Sequence, residues 1–440
     1  MSELKTYKFS DLYEMSSGIS SKPEQAGHGS PFVSFSTVFK GHFLPEILPD
    51  LMDTSKSEKE KYSIKKGDIF LTRTSETLDE LGMSSVANKN YPNSSFSGFL
   101  KRLRPTQTDI SYYKFMAFYL RSKPFRKTMN NNAIMTLRAS LNEQIFSYLE
   151  LVLPPYNDQV KIGDFLFSIN EKIELNHKIN QELEAMAKLL YEYWFVQFDF
   201  PDVNGKLYKS SGGKMDYNEE LKREIPEGWG VKKLESLGNF KNGVNYDPSN
   251  PGEIACPIIN VRNISASSYF LKNEDFDVIF LKASDVRKYS VHKGSIIIAR
   301  SGIPGATRLI SDFEDNTLYC GFAIHYELDN LTQKLLVFFY LKSIEQMIKN
   351  GSGGTILKNV NQATLNNLEI VLPKSEGIIN KFNELIEPIF SKINLIQKEN
   401  KKLTELKDWL LPMLINGQVS VSEAEEELRM VAEAGAKYGA

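Results

Sequence analysis

Residues 153–157 read LPPYN, the stretch of this chain that comes nearest to a catalytic loop. In the [DNS]PP[YFW] motif of amino-methyltransferases, the leading polar side chain accepts hydrogen bonds from the target amine. Leu153 offers no acceptor, and the corresponding stretch Leu372-Pro373-Lys374 keeps only the leucine and the first proline. Both are therefore expected to be loops that end a strand. KSSGGKM at 209–215 lacks the first glycine of GxxxxGK[ST], and GSGGTILK at 351–358 does not match GxGxxG, so neither reads as a phosphate cradle. His28, His42, His177, His292 and His325 have no metal-ligand spacing. Asp312-Phe313-Glu314-Asp315 reads as a solvated acidic loop. The chain is expected to supply no catalytic residue and to bind no cofactor or metal itself.

The elements around these stretches occur twice. Residues 62–75 read YSIKKGDIFLTRTS and residues 289–302 read YSVHKGSIIIARSG, with six of fourteen positions identical. Ser17-Gly18-Ile19 answers to Asn242-Gly243-Val244, Pro31-Phe32-Val33-Ser34 to Pro257-Ile258-Ile259-Asn260, and Phe118-Tyr119-Leu120-Arg121-Ser122 to Phe339-Tyr340-Leu341-Lys342-Ser343. A repeat of this length is a duplicated domain, not a solenoid unit of about 20–50 residues. The offset drifts mainly between Arg73 and Tyr112, where the first copy is about six residues longer. Length changes concentrate in surface loops, which also carry binding residues. IFLTR and IIIAR, each following a Gly turn, are predicted strands buried on both faces. Asp109–Ser122 and Leu331–Asn350 are predicted helices, the first stopped by Lys123-Pro124. Each copy is thus an α+β module.

From Asp158 to about Phe198 the pattern changes. Apolar residues recur in steps of three and four through Ile169, Ile173, Leu183, Ala187, Leu190 and Trp194. The same rhythm runs through Ile386, Ile389, Ile393, Ile396, Leu403 and Leu410. These seams predict two long helices that pair with one another, because a lone helix with one apolar stripe is unstable in water. Asn176, Asn180 and Asn400 interrupt the seams; Asn180 and Asn400 are equivalent in the repeat, and the expectation is that they meet and set the register. The alternative is that both face solvent. Tyr191, Tyr193, Trp194, Phe195, Trp409, Leu411 and Met413 form an excess near the helix ends that suits either a partner interface or packing on the adjacent module.

The chain has 440 residues, 53 Lys plus Arg and 55 Asp plus Glu, for a net charge of −2. Proteins that bind duplex DNA alone are usually basic, so near-neutrality requires either basic residues gathered on one face or a partner that shares the nucleic acid. Cys256 and Cys320 read as buried thiols. No secretory pattern opens the sequence and no apolar run approaches the ~20 residues of a bilayer span; the expected location is the cytoplasm.

YEYWFVQFDFPDVNGKLYKSSGGKMDYNEELKREIPEGWGVKKLESLG (191–238), LLPMLINGQV (410–419) and LELVLPPYNDQ (149–159), in this order and within a duplicated chain, resemble the specificity (S) subunit of type I restriction–modification systems. The resemblance implies an α+β fold of two pseudo-symmetric α/β target-recognition domains joined by two long antiparallel coiled-coil helices. On that plan 1–155 is the first recognition domain, 156–198 the first long helix, 199–225 a central linker, 226–373 the second recognition domain, 374–416 the second long helix, and 417–440 an acidic tail. It further implies a bipartite asymmetric target in double-stranded DNA, with one domain reading each half. Two methyltransferase (M) subunits would dock on the helices, joined through them by restriction (R) subunits. S-adenosylmethionine, ATP and Mg would be bound by those partners. A two-headed protein-binding scaffold without DNA specificity would account equally for the repeat and the helices.

Given that resemblance, the candidate DNA-contacting residues are those with donors at the ends and loops of the repeated strands. They are Arg73, Thr74 and Ser75 with Arg300 and Ser301; the loop before the last strand, with Thr136 and Arg138 in one copy and Thr355 and Lys358 in the other; and Arg262-Asn263. The alternative for each is a solvated charge or an ion pair within its own module.

Overall fold

The computed structural model describes residues 4–75, 81–131, 134–135, 139–140, 148–247, 249, 251–272, 275–311, 313–350 and 360–437. The chain divides into two compact units, Met1–His177 with Lys398–Ala440, and Lys178–Gln397.

In the first unit, Ile69–Thr72 is buried at all four positions, as an uninterrupted apolar run demands. It lies within a four-stranded antiparallel sheet in the order Tyr13–Ser17, Leu100–Pro105, Ile69–Thr72, Ser84–Val86. A second sheet places Ala26–Val33 between Asp50–Met52, antiparallel, and Ser95–Phe96, parallel. Lys5–Lys8 pairs with Glu150–Leu153, so the first and last strands of the module close on each other. Glu150–Leu153 alternates exposed and buried residues, the mark of a strand with one face on the core.

The second unit repeats all three arrangements. Gly238–Asn242, Ala323–Leu328, Ile296–Ala299 and Thr307–Leu309 form the four-stranded antiparallel sheet, again with a fully buried strand, Ile296–Ala299, in the third place. Ile254–Ile259 lies between antiparallel Asp277–Leu281 and parallel Leu318–Tyr319. Gly230–Lys233 closes on Glu369–Leu372. Two sequences that share few residues thus carry the same topology in these three sheets.

Helices differ from expectation at their ends. The first predicted helix is confined to Tyr113–Tyr119, and Pro124 lies in the opening turn of a further helix, Lys123–Asn131, where its missing N–H goes unneeded. Lys334–Lys349 is preceded by a 3₁₀ turn, Leu331–Gln333. The two long helices are Tyr156–Tyr191, continued by a π-helical turn at Glu192–Val196, and Glu376–Ile415. In the first unit Ile162, Phe165, Leu166, Ile169 and Ile173 share a core with Leu403, Leu406 and Leu410. In the second, Ala187, Tyr191, Trp194 and Phe195 share one with Ile379, Phe382, Ile386, Phe390 and Ile393.

The acidic tail forms a helix, Val421–Lys437, opened by a reciprocal cap in which Ser420 N donates to Glu423 Oε2 (2.7 Å) and Glu423 N to Ser420 Oγ (3.3 Å). Its Ala424 is buried in the core of the first unit. Cys256 and Cys320 are free and buried, and burial pushes both thiols up from their ordinary pKa. Among the described residues no helix is long and apolar enough to cross a membrane.

Candidate nucleic-acid interface

The end of the buried strand is built alike in both units. Arg73 follows Thr72 and is exposed; its N–H donates to Phe99 O (2.9 Å). Arg300 follows Ala299 and is half-buried; its N–H donates to Phe322 O (2.9 Å). Beside each arginine a glycine loop comes in close. A Cβ on Gly18 would collide with Ser97 O, and one on Gly243 with Cys320 O, so only glycine fits at either place. The neighbouring polar side chains are held by cations. Lys101 Nζ donates to Ser17 Oγ (2.8 Å), and Arg300 Nη1 donates to Asn242 Oδ1 (3.5 Å) and Gly321 O (3.2 Å).

In the first unit Thr74–Ser75 forms a short strand paired with Ala139–Ser140, which pairs in turn with Ile134–Met135. This brings the segment after Arg73 alongside Ala139–Ser140. Thr136 and Arg138 themselves lie outside the described residues, as do Thr355 and Lys358. In the second unit, Gly302, with φ of +72°, approaches Val261 so closely that an added Cβ would stand 3.0 Å from its Cγ1. Half-buried Ser301 is thereby placed beside the short helix Val261–Ser265, which carries Arg262 and Asn263.

Those two side chains are engaged within the module. Arg262 Nη2 donates to Asp277 Oδ1 (2.7 Å) and to Asp275 O (2.9 Å), the local ion pair that was the alternative to a DNA contact. Asn263 is buried, and its Oδ1 accepts from Asn260 N (2.9 Å) to cap the helix start. Its amide serves the fold and is not presented to a ligand. By contrast, neither Arg73 nor Arg300 has an ion pair among the described residues. An arginine held by neutral acceptors keeps its charge for a phosphate or a guanine edge. No group of three or more His, Cys, Asp or Glu able to hold a metal ion occurs among the described residues.

A model described as the type I restriction modification DNA specificity domain matches the chain twice, over residues 1–185 and 226–407. The chain belongs to this specificity-subunit family. It is similar to the MjaIX specificity subunit of Methanocaldococcus jannaschii, 27% identical over 367 residues that cover 81% of this chain and 79% of that one. It is also similar to the HindI specificity subunit of Haemophilus influenzae, 26% identical over 491 aligned positions covering 95% and 100% of the two chains. In fold it resembles the type I restriction–modification S subunit from M. genitalium, with a TM-score of 0.54 at 14% identity over 94% of this chain and 96% of that one. The double match of one family model and the three sheets common to both units are the same duplication seen twice.

The register amide of this specificity subunit differs from the expected one. Asn400 Oδ1 accepts from Asn176 Nδ2 (2.8 Å), which also donates to Glu399 Oε2 (2.9 Å), while Asn400 Nδ2 donates to Ile173 O (3.4 Å). Its partner is thus one turn earlier in the first helix than Asn180. Equivalence in the repeat marks which residues correspond, but the packing of apolar layers decides which ones touch. Asn180, in the other unit, is buried with no hydrogen bond to its Oδ1. Asn400→Ala is expected to lower stability by about 1–2 kcal/mol, since Asn176 then loses an acceptor it cannot replace. Thermal melts of the two proteins measure this.

Near the helix ends, Trp194 packs against Phe382 (5.8 Å between rings), whereas Trp409 is exposed rather than covered by the adjacent module. Within the second unit Tyr269 touches both helices. Its hydroxyl donates to Glu184 O (3.1 Å) and its ring lies 6.0 Å from that of Phe390. From Glu184 to Trp194 the first helix advances as the second retreats from Phe390 to Phe382, the sense of an antiparallel pair. Ile179, Met186, Leu189, Tyr193 and Val196 remain 37–52% exposed. Sequence reasoning followed only the buried seam, but this second stripe was visible as a seven-residue step from 179 to 186 to 193.

Proposed function

We propose that this chain is the DNA-reading subunit of a type I restriction–modification complex. Each module reads one half of a bipartite, asymmetric duplex site, and the paired helices carry methyltransferase subunits and, through them, restriction subunits, in the cytoplasm. The chain itself contributes recognition without catalysis; S-adenosylmethionine, ATP and Mg belong to the partners. The observation that carries this reading is the duplicated strand end, where Arg73 and Arg300 stand in equivalent places, each without a carboxylate partner among the described residues, on modules that each match the specificity-domain family. The exposed apolar stripe on the first long helix supports a docking surface for the methyltransferase, because contiguous apolar surface on a charged helix marks an interface.

The test is the adenine methylation pattern of a methylation-free host that expresses this chain with the methyltransferase encoded beside it. A new bipartite motif, absent without this chain, is expected. Unchanged methylation from a soluble, associated complex would instead favour a protein-binding scaffold. Within that motif, Arg73→Ala is expected to relax one base position in one half-site and Arg300→Ala one position in the other, each weakening cognate binding by about 1–3 kcal/mol. Duplex binding and motif sequencing of the variants measure both effects. Uniform weakening across both halves would point to lost phosphate contacts instead.

A further inference from the structure

The two modules share one more feature that the arginines do not explain. The turn Phe96-Ser97-Gly98-Phe99 of the first corresponds to Tyr319-Cys320-Gly321-Phe322 of the second. In each, the first aromatic is driven inward and the last outward: Phe96 and Tyr319 are 0% and 1% exposed, while Phe99 and Phe322 are 63% and 64% exposed. The turn itself is held by the same bonds in both copies. Ile19 N donates to Phe96 O and Val244 N to Tyr319 O, each at 2.9 Å, and Leu100 N and Ala323 N bond back to Ser97 O and Cys320 O at 3.0 and 2.8 Å.

A single exposed phenylalanine is ordinary on a protein surface. Two at equivalent positions of modules that have otherwise diverged, each set beside an arginine with no ion pair among the described residues, are a built arrangement. Thr72 is paired with Leu100 and Ala299 with Ala323, so the next residues, Arg73 with Phe99 and Arg300 with Phe322, stand opposite one another across the ladder. Opposed residues in an antiparallel pair send their side chains to the same face. Each module therefore presents an apolar ring beside an arginine that has no carboxylate partner among the described residues. Duplex DNA offers the complementary pair, an apolar base group such as a thymine methyl next to phosphates and acceptor edges.

We infer that Phe99 and Phe322 are specificity-determining residues, each making an apolar contact with a base of its own half-site while the adjacent arginine takes a phosphate or guanine edge. This rests on the DNA-reading function proposed above. The ring supplies sequence preference without charge, so its removal affects cognate binding and leaves the electrostatic component alone.

The experiment uses the full chain in complex with its methyltransferase, with duplexes carrying the motif found for the wild type. Phe99→Ala is expected to weaken cognate binding by about five- to twentyfold. It should leave binding to unrelated duplex, and the slope of log affinity against log salt, as in the wild type. Scrambling one half-site should abolish the variant's deficit and scrambling the other should preserve it; Phe322→Ala should give the reverse assignment. Phe99→Leu and Phe322→Leu, which keep apolar bulk, should recover part of the loss. Equal losses on cognate and unrelated duplex, or no loss in either alanine variant with the complex intact, would overturn the inference. If the wild-type complex shows no sequence preference at all, the DNA-reading function falls first, and the two failures are thereby distinguished.

Discussion

Replacing Glu345 by glutamine is expected to lower the stability of the second unit by about 3–5 kcal/mol. The carboxylate is 3% exposed and faces Arg308, 4% exposed, with Arg308 Nη1 at 3.0 Å from Oε2. Lys342 Nζ (2.7 Å) and Thr307 N (3.2 Å) share that oxygen, and Lys349 Nζ (2.7 Å) takes the other. Arg308 also donates to Ile264 O and Ser267 O, at 3.1 and 2.8 Å, so the cluster ties the strand Thr307–Leu309 to the helix Lys334–Lys349 and to the segment beyond Asn263. Glutamine leaves the buried guanidinium without its counter-charge, and a buried charge cannot be compensated by water. Lys349→Ala is the control, since its side chain is 54% exposed and an exposed pair contributes only about 0–1 kcal/mol. Denaturant or thermal unfolding of the three proteins reads the difference.

The same cluster predicts a pH dependence. Burial pushes the Glu345 carboxyl up, but the Lys342 and Arg308 cations outweigh it and hold the pKa down at about 2. A carboxyl depressed in the folded state contributes stability that is fully present above its unfolded pKa and is lost as pH falls towards the folded one. The contribution should therefore vanish between about pH 4.5 and about pH 2. Wild type is expected to lose stability more steeply across that window than Glu345→Gln, and parallel melting curves at several pH values would check it.

The second large effect concerns assembly. Met186→Glu with Leu189→Glu places two carboxylates in the exposed stripe that also includes Ile179, Tyr193 and Val196. Desolvating a charge at an interface without a partner is costly, and central apolar anchors are worth about 2 kcal/mol or more each. Together they should weaken association with the methyltransferase about a thousandfold, removing both co-purification and motif methylation, while the isolated chain melts as before. Lys188→Ala, one turn from Glu192 with which it pairs at 3.5 Å, tests whether any change on this helix has the same result. Intact methylation in the double variant would place the docking surface elsewhere.

How much was legible beforehand follows from the range of the interactions involved. The duplication, the strands IFLT and IIIA, and both long helices could be read directly, because each is specified by residues two to seven positions apart. Partnerships across the chain could not. The sequence offered Arg262 and Asn263 as recognition residues with no sign that Asp275, Asp277 and Asn260 would come alongside them. Trp194 and Trp409 looked alike, yet one is covered by Phe382 and the other is exposed.

By itself the sequence determined the architecture of the modules, since apolar period and turn residues are local codes repeated in both copies. Only the tertiary structure decided that Asn400 bonds Asn176, that Arg73 and Arg300 carry no ion pair among the described residues, and that Phe99 and Phe322 point outward while Phe96 and Tyr319 point in. Those outcomes depend on which distant atoms occupy the few ångströms around a side chain, and no spacing along a single chain encodes that distance.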